Sequence, residues 1–171
     1  MNIEGVQFIE SEKIHDVRGS FRKVFVDTQG EINFHLKEIF YSESSAGVFR
    51  GMHLQTGHSA SGRIISLLKG EITDLLIDLR DSSSTFKEFI EFDWSSNSQI
   101  GAIYVPAGVA HGFLAHTDTL MMYQSDNLYN AELDSGVNIH SLPVRLTKNI
   151  KTMSERDASL PDLAAWDRSG K

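Results

Sequence analysis

Two of the seven histidines in this 171-residue chain stand in sequence contexts that suit chemistry. His53 lies in the run FRGMHLQ, where the alternation of a strand places it on the same face as Gln55. Met52 and Leu54 then point to the opposite face. A histidine and a glutamine are costly to bury inside a barrel unless that interior is a wet ligand cavity. His53 and Gln55 are therefore candidates for a binding or catalytic pocket.

His111 follows a turn in the stretch PAGVAHGF, which delivers it to the start of the next strand. The spacing PxGxxH is the second half of the signature of metal-binding cupin barrels. The first half, two histidines one residue apart followed by a glutamate, is absent around His53. The chain also has no cysteine, which excludes cysteine–zinc sites and a thiol nucleophile. We expect a site that works without a metal.

The elements that must position these residues are strands. The middle of the chain consists of short β-branched or aromatic runs separated by Gly, Asn, Ser and Asp, typical of an antiparallel all-β sandwich or barrel. The runs are VFRGMHLQ, GRIISLLKG, EITDLLIDLR, FKEFIEFDW, GAIYVPAG, HGFLAHT and TLMMYQSDNLY. Because no helices alternate with them, a parallel sheet is not expected.

Helical signals come only late, in TMSERDASLPDLAAWDRS. Thr152 or Ser154 could cap a first turn there, and Pro161 could open another. With no repeat or linker in the sequence, we expect a single domain over residues 1–171. The barrel would occupy about residues 1–142 and the C-terminal helical appendage about residues 143–171.

The net charge of the chain restricts the kinds of molecule that it is expected to bind. The 23 acidic residues outnumber the 16 basic ones, for a net charge of −7, which argues against a general nucleic-acid binder. The N-terminus carries charges where a signal peptide would be apolar, and no run approaches the roughly 18 apolar residues of a membrane span, so we expect a cytosolic protein. An anionic small ligand would need local arginines, for which Arg18, Arg50 and Arg63 are the candidates.

Several motifs of the chain, taken together, resemble those of a known protein family. FRGMHLQ resembles the RGLHxQ motif of the dTDP-4-dehydrorhamnose 3,5-epimerase family, whose members have a cupin-type jelly-roll barrel. The match continues in order through GRIISLLKGEITDLLIDLRDSSSTF, YVPAGVAHGF, MMYQSDNLY and SERDA, and it includes HDVRGSF near the N-terminus. It covers about residues 8–162. The resemblance implies an isomerase that acts on a nucleotide sugar in deoxysugar and cell-surface polysaccharide biosynthesis.

The resemblance also implies roles for particular residues. His53 matches the family's catalytic base, and Asp157 matches the carboxylate that orients it. Tyr123 matches the acid on the opposite face of the sugar, and Arg63 stands where the family has a lysine beside the carbonyl oxygen. The residues matched to the substrate side are Arg18, Arg50, Gln55, Asp74, His111, Phe21 and Glu38, with Arg18 supplied by the neighbouring subunit of a homodimer.

Several positions depart from the family's pattern. Lys23 falls where the family tends to have a glutamate that reads thymine, and Phe40 falls where it has an asparagine. Leu128 replaces an aromatic residue that stacks on the base, Glu38 replaces a glutamine, and Gln124 replaces the lysine after the tyrosine. These changes leave open the nucleotide base, the sugar, and whether C3, C5 or both are inverted.

The implied chemistry suits these residue types. A ketone at C4 acidifies the protons at C3 and C5, so removal to an enolate and return from the other face needs no cofactor. Two alternatives stay open: a sugar ketoisomerase on a similar barrel, and a non-catalytic barrel that binds sugar nucleotides. Tyr123 favours epimerisation over ketoisomerisation. The combination of His53, Asp157 and Tyr123 argues against a non-catalytic protein.

Overall fold

Two antiparallel sheets face each other in this protein. The computed structural model describes residues 2–26 and 32–166. Within these ranges the strands are β1 (Gln7–Glu10), β2 (Lys13–Asp16), β3 (Gly19–Arg22), β4 (Glu38–Ser44), β5 (Phe49–Gln55), β6 (Arg63–Lys69), β7 (Glu71–Asp78), β8 (Phe89–Ser95), β9 (Ile100–Val105), β10 (Val109–Ala115), β11 (Thr119–Ser125) and β12 (Asp134–Gly136). The first sheet has the order β1-β9-β6-β11-β4, and the second has the order β12-β5-β10-β7-β8. This arrangement confirms the all-β prediction.

The space between the sheets is filled by apolar side chains that alternate along the strands. In β7, Ile72 and Leu76 belong to this inner core, whereas Leu75 and Ile77 point to the other side of the sheet. Trp94 is buried in the same core and donates from Nε1 to the Ile100 carbonyl at 3.1 Å. Although the sequence of β7 is mixed in period, strand geometry sorts its side chains into an inner and an outer face.

The outer face of the second sheet is covered by the C-terminal segment. Met52 and Leu54 pack there with Val137 and Ile139, as expected for strand positions opposite His53. The segment contains one helix, α1 (Glu155–Ala158), and short 3₁₀ turns at Ile139–Ser141, Leu146–Asn149 and Leu163–Ala165. No helix of the described ranges is long and apolar enough to cross a membrane. The last five residues of the predicted appendage, 167–171, lie outside the described part of the chain.

A separate hairpin, formed by β2 and β3, stands apart from the two sheets. Its base is fixed by Arg22, whose guanidinium donates to the carbonyls of Ser11, Ser96, Ser98 and Ile100. Its tip is open to solvent. The hairpin is therefore anchored at one end and projects from the barrel at the other.

Candidate active site

A cavity of about 220 Å³ opens at one end of the barrel. The lining side chains come from both sheets, from the loop before β6 and from the segment that follows β11. They are Glu38, Phe40, His53, Gln55, Ser61, Arg63, Ser125, Asn127, Leu128, Tyr129, Asp134 and Arg156. Most of these side chains are polar, as expected for a cavity that holds a hydrated ligand.

His53 and Asp157 form a hydrogen-bonded pair at the wall of this cavity. His53 Nε2 lies 2.8 Å from Asp157 Oδ1, and the other carboxylate oxygen accepts the Gly51 backbone N–H at 3.1 Å. Ser154, one of the two caps predicted from the sequence, caps α1 by accepting the Asp157 N–H at 3.0 Å. The cap fixes the helix turn that presents Asp157 to the histidine.

A glycine makes this arrangement possible. Gly51 has a φ of +137°, and a Cβ built on it would lie 2.4 Å from Gly112 Cα. A side chain at this position would push β5 away from β10. Glycine therefore allows the close approach of the two strands and places the Gly51 N–H at the Asp157 carboxylate.

The Asp157 carboxylate is held in its charged form. Burial alone would raise its pKa, but the hydrogen bond and charge interaction with His53 and the Gly51 N–H outweigh burial and lower the pKa below its usual value. An ionised Asp157 can only accept a hydrogen bond, so His53 Nε2 must carry a proton. In a neutral His53 the nitrogen able to take up a proton is therefore Nδ1.

Deeper in the barrel lies a second pair of this type. His111 Nε2 is 2.9 Å from Asp74 Oδ2, and both side chains are almost completely buried. Asp74 Oδ1 is buried and has no hydrogen-bond partner in the described ranges. Burial raises the pKa of Asp74, against the opposing effect of His111.

Tyr123 lies next to this second pair. The centroids of the Tyr123 and His111 rings are 6.1 Å apart in an edge-on arrangement, and only 7% of Tyr123 is exposed. Burial raises the pKa of Tyr123 to about 12, although Ser42, Arg63 and Arg50 act in the opposite direction. The phenol is therefore protonated at neutral pH and can donate.

Arg63 and Gln55 both face the cavity. Arg63 donates from Nη2 to the His53 carbonyl at 3.2 Å, and burial lowers the pKa of its guanidinium despite the raising effect of Tyr123 and Asp134. Gln55 Oε1 accepts the Asn130 N–H at 2.9 Å. Gln55 Nε2 is buried without a partner in the described part of the chain, so a ligand with an acceptor would satisfy it.

The remaining substrate-side candidates lie in different places. Glu38 lines the cavity and accepts the Tyr129 N–H at 3.1 Å. Arg50 is exposed and donates to Ser44 Oγ at 2.8 Å. Arg18 and Phe21 are exposed on the projecting hairpin and do not line the cavity of their own chain. The structure therefore brings His53, Arg63, Gln55 and Glu38 together, with Tyr123, His111 and Asp74 deeper in the barrel.

Sequence reasoning missed a group of residues at the cavity wall. Arg156 pairs with Asp134 Oδ2, which also accepts the Tyr129 hydroxyl at 3.2 Å. Arg156 Nη1 lies 3.4 Å from His53 Nε2, so a cation sits beside the histidine pair. The only sequence signal was the position of Arg156 next to Asp157, because no pattern links it to Asp134.

The described residues contain no group of three or more His, Asp and Glu side chains placed to hold a metal ion. The two histidines with carboxylate partners are each paired with a single carboxylate. The metal-independent site expected from the sequence stays a prediction.

Comparisons with known proteins relate this arrangement to a single family. The family model for dTDP-4-dehydrorhamnose 3,5-epimerase matches residues 1–165. The epimerase of Methanothermobacter thermautotrophicus is 32% identical over 140 residues, covering 80% of this chain and 75% of that protein. The crystal structure of the Bacillus anthracis epimerase, with TDP and PPi bound, is 31% identical with a TM-score of 0.84 and covers 95% of this chain and 97% of that one. The Legionella pneumophila epimerase in complex with dTDP-4-keto-L-rhamnose is 26% identical with a TM-score of 0.86, covering 98% and 92%.

Proposed function

Because the chain belongs to the dTDP-4-dehydrorhamnose 3,5-epimerase family, whose members are isomerases, we propose that it epimerises a nucleotide-linked 4-keto-6-deoxyhexose at C3, C5 or both. The product would serve deoxysugar and cell-surface polysaccharide biosynthesis. The observation that carries this proposal is the His53–Asp157 pair at the wall of the cavity, with an ionised carboxylate behind the histidine.

Proton removal is assigned to His53. The C4 ketone acidifies the neighbouring C–H groups, and Nδ1 of His53 takes the proton while Nε2–H stays bonded to Asp157. The carboxylate then stabilises the imidazolium that forms. This chemistry requires no cofactor.

The enolate oxygen is assigned to Arg63. Only Nη2 of its guanidinium is engaged with the protein in the described ranges, and the side chain lines the cavity. A fixed donor of this kind is typically worth about 10²–10³ in rate when it meets the developing negative charge. Tyr123, neutral and buried on the barrel side, is the proton donor for the opposite face of the sugar.

The nucleotide half of the ligand is assigned to the open end of the cavity. Gln55 offers its unpartnered amide, and Glu38 and Leu128 form part of the wall. Arg50 provides an exposed guanidinium for the diphosphate. The sequence differences at Lys23, Phe40 and Leu128 leave the base open.

A homodimer would complete the site. The hairpin exposes Ile14, Val17 and Phe21, a set of apolar side chains that favours burial against a partner. Within residues 2–26 and 32–166, β4 of the first sheet is paired only with β11 and its other edge has no partner strand. We place the hairpin of one subunit against the other, so that Arg18 and Phe21 reach the partner's cavity. A monomer that keeps full activity at micromolar concentration would exclude this arrangement.

The experiment is NMR of nucleotide-linked 4-keto sugars incubated with the protein in heavy water. Deuterium appearing at C3 or C5, together with inversion there, identifies the activated carbon. His53→Ala should abolish both exchange and inversion, a loss of at least about 10²–10⁴. Tyr123→Phe should lose inversion but keep slow exchange, because His53 can still remove a proton and return it to the same face.

His140→Ala is the matched control, since His140 is an exposed histidine that does not line the cavity. Movement of the carbonyl to a neighbouring carbon would instead identify a ketoisomerase. If no 4-keto sugar acquires deuterium, the protein binds sugar nucleotides without acting on them. The cytosolic location expected from the sequence stays a prediction.

A further inference from the structure

Tyr123 is stacked against an aromatic residue on the neighbouring strand. Tyr123 of β11 and Phe40 of β4 are direct cross-strand partners. Their rings are nearly parallel, with centroids 4.9 Å apart and an interplanar angle of 10°. Cross-strand aromatic pairs at this spacing restrict each other's rotation.

Phe40 does not behave as an ordinary core residue. It is 40% exposed and lines the cavity, whereas Tyr123 is 7% exposed and lies behind the cavity surface. Most of its neighbours in that wall, such as Glu38, Gln55 and Arg63, are polar. A half-exposed phenylalanine is unusual in a polar wall. Its stacking on Tyr123 explains why a phenylalanine stands there.

The phenol ring is enclosed from two directions. Phe40 covers one face, and the ring of His111 approaches from another side with its centroid 6.1 Å away. Rotation of the Tyr123 ring would have to displace Phe40. Phe40 covers one face of the ring, and only 7% of Tyr123 is exposed, so little of the ring meets water.

We propose that Phe40 is a positioning residue that fixes the Tyr123 ring and keeps water from it, so that the enolate is reprotonated by the tyrosine. This inference rests on the proposed function, in which Tyr123 is the acid. In the step concerned, the O–H bond of Tyr123 breaks and its proton forms the new C–H bond. The phenolate regains a proton from solvent, and the proton on His53 leaves to solvent.

The enolate can be reprotonated on either face, and Phe40 influences which face receives the proton. A proton from Tyr123 inverts the carbon, whereas return from His53 restores the original configuration. A Tyr123 phenol that is held less firmly reaches the carbon less often. A larger share of the enolate then takes its proton back from His53. The ratio of inverted product to deuterated but unchanged sugar therefore reports on Phe40 without depending on substrate affinity.

The test is that ratio, measured from initial rates by NMR in heavy water. Phe40→Ala should lower it roughly tenfold, less than the 10²-fold that a misplacement of about 1 Å can cost. Phe40→Trp keeps a flat apolar ring and should hold the ratio within about twofold of the starting protein, as expected when stacking and not residue identity matters.

Phe8→Ala provides the matched control. Phe8 belongs to the same sheet, is 41% exposed, and forms its own aromatic pair with Phe92 at 5.1 Å. Its removal should leave the ratio unchanged. If Phe40→Ala slows exchange and inversion equally, or leaves both as they were, the positioning role is wrong.

Failure of this inference is distinct from failure of the proposed function. If the starting protein puts no deuterium into any 4-keto sugar, the proposed function fails first. If Tyr123→Phe loses inversion and Phe40→Ala keeps the original ratio, only the role of Phe40 is overturned.

Discussion

Two histidine–carboxylate pairs lie side by side in this barrel and differ in how they meet solvent. His53 on β5 and His111 on β10 are cross-strand partners, and their N–O distances to Asp157 and Asp74 are 2.8 and 2.9 Å. The His53 side chain is 26% exposed, whereas that of His111 is 4% exposed. The pKa of Asp157 is lowered and that of Asp74 is raised.

The N–O distances of the two pairs are nearly equal, so they do not explain the different pKa shifts of the two carboxylates. Both oxygens of Asp157 are hydrogen-bonded, one to His53 and one to the Gly51 N–H. Asp74 is fully buried, and its Oδ1 has no partner in the described residues. Hydrogen-bond donors therefore lower the pKa of Asp157, whereas burial raises that of Asp74, and this difference underlies our proposal of His53 as the base.

The largest expected effect is on catalysis, and it separates the two carboxylates. Asp157→Asn leaves His53 without an ionised partner to fix its tautomer, so the exchange rate should fall by between about 10² and 10⁴. Asp74→Asn changes a carboxyl whose pKa is raised by burial and which is not the partner of the proposed base, so the loss should stay below about 10², the low end for a positioned acid or base. Initial rates of deuterium uptake by NMR measure both. Equal losses would show that the two pairs act as one unit.

Much of this arrangement could be predicted from the sequence, because it depends on strand alternation. FRGMHLQ placed His53 and Gln55 on one face and Met52 and Leu54 on the other, and the structure confirms that division. The strands β2 and β3 were not identified, because KIHD and GSFR are mostly exposed and show no inner and outer face.

The direction in which the pKa of each carboxylate is shifted could not be predicted from the sequence. It depends on contacts between distant residues, such as the Gly51 N–H with Asp157, 106 positions apart. The ion pair of Arg156 with Asp134 is likewise a product of chain folding and not of a local pattern. The stack of Phe40 on Tyr123 required the register between β4 and β11, which the sequence did not fix.

A second prediction concerns stability and its dependence on pH. The pKa of Asp157 is lowered from 3.8, so its contribution is present at neutral pH and is lost as pH falls through that value and below. Asp157→Asn should lower the free energy of unfolding at pH 7 by about 1.5–3 kcal/mol, the range for a hydrogen bond to a charged group. The difference between the variant and the starting protein should shrink below pH 3.8.

Asp74 should show the opposite sign. Its pKa is raised from 3.8 in the folded protein, so its ionisation opposes folding at a pH above the raised value. Asp74→Asn should therefore be neutral or stabilising at pH 7, and the gain should fade as the pH is lowered towards 3.8. Denaturant unfolding of both variants across this pH range measures the effect. A loss of stability at pH 7 on Asp74→Asn would mean that the ionised pair with His111 stabilises the fold.

The smallest expected effect concerns Arg156, the cation beside the His53 pair. Arg156 Nη1 lies 3.4 Å from His53 Nε2, and the guanidinium is held to the cavity wall by Asp134. The side chain is 48% exposed, so solvent screens its attraction for an anionic nucleotide sugar. Arg156→Ala should raise KM by about threefold to tenfold and change kcat by less than about threefold, as expected for an exposed charge contact worth roughly 1 kcal/mol. Added salt should narrow the difference in KM between the variant and the starting protein.

Arg145→Ala is the control, since the Arg145 side chain is 91% exposed and does not line the cavity. If kcat falls and KM stays constant, Arg156 acts on the proton-transfer step through His53 and not on binding of the nucleotide sugar.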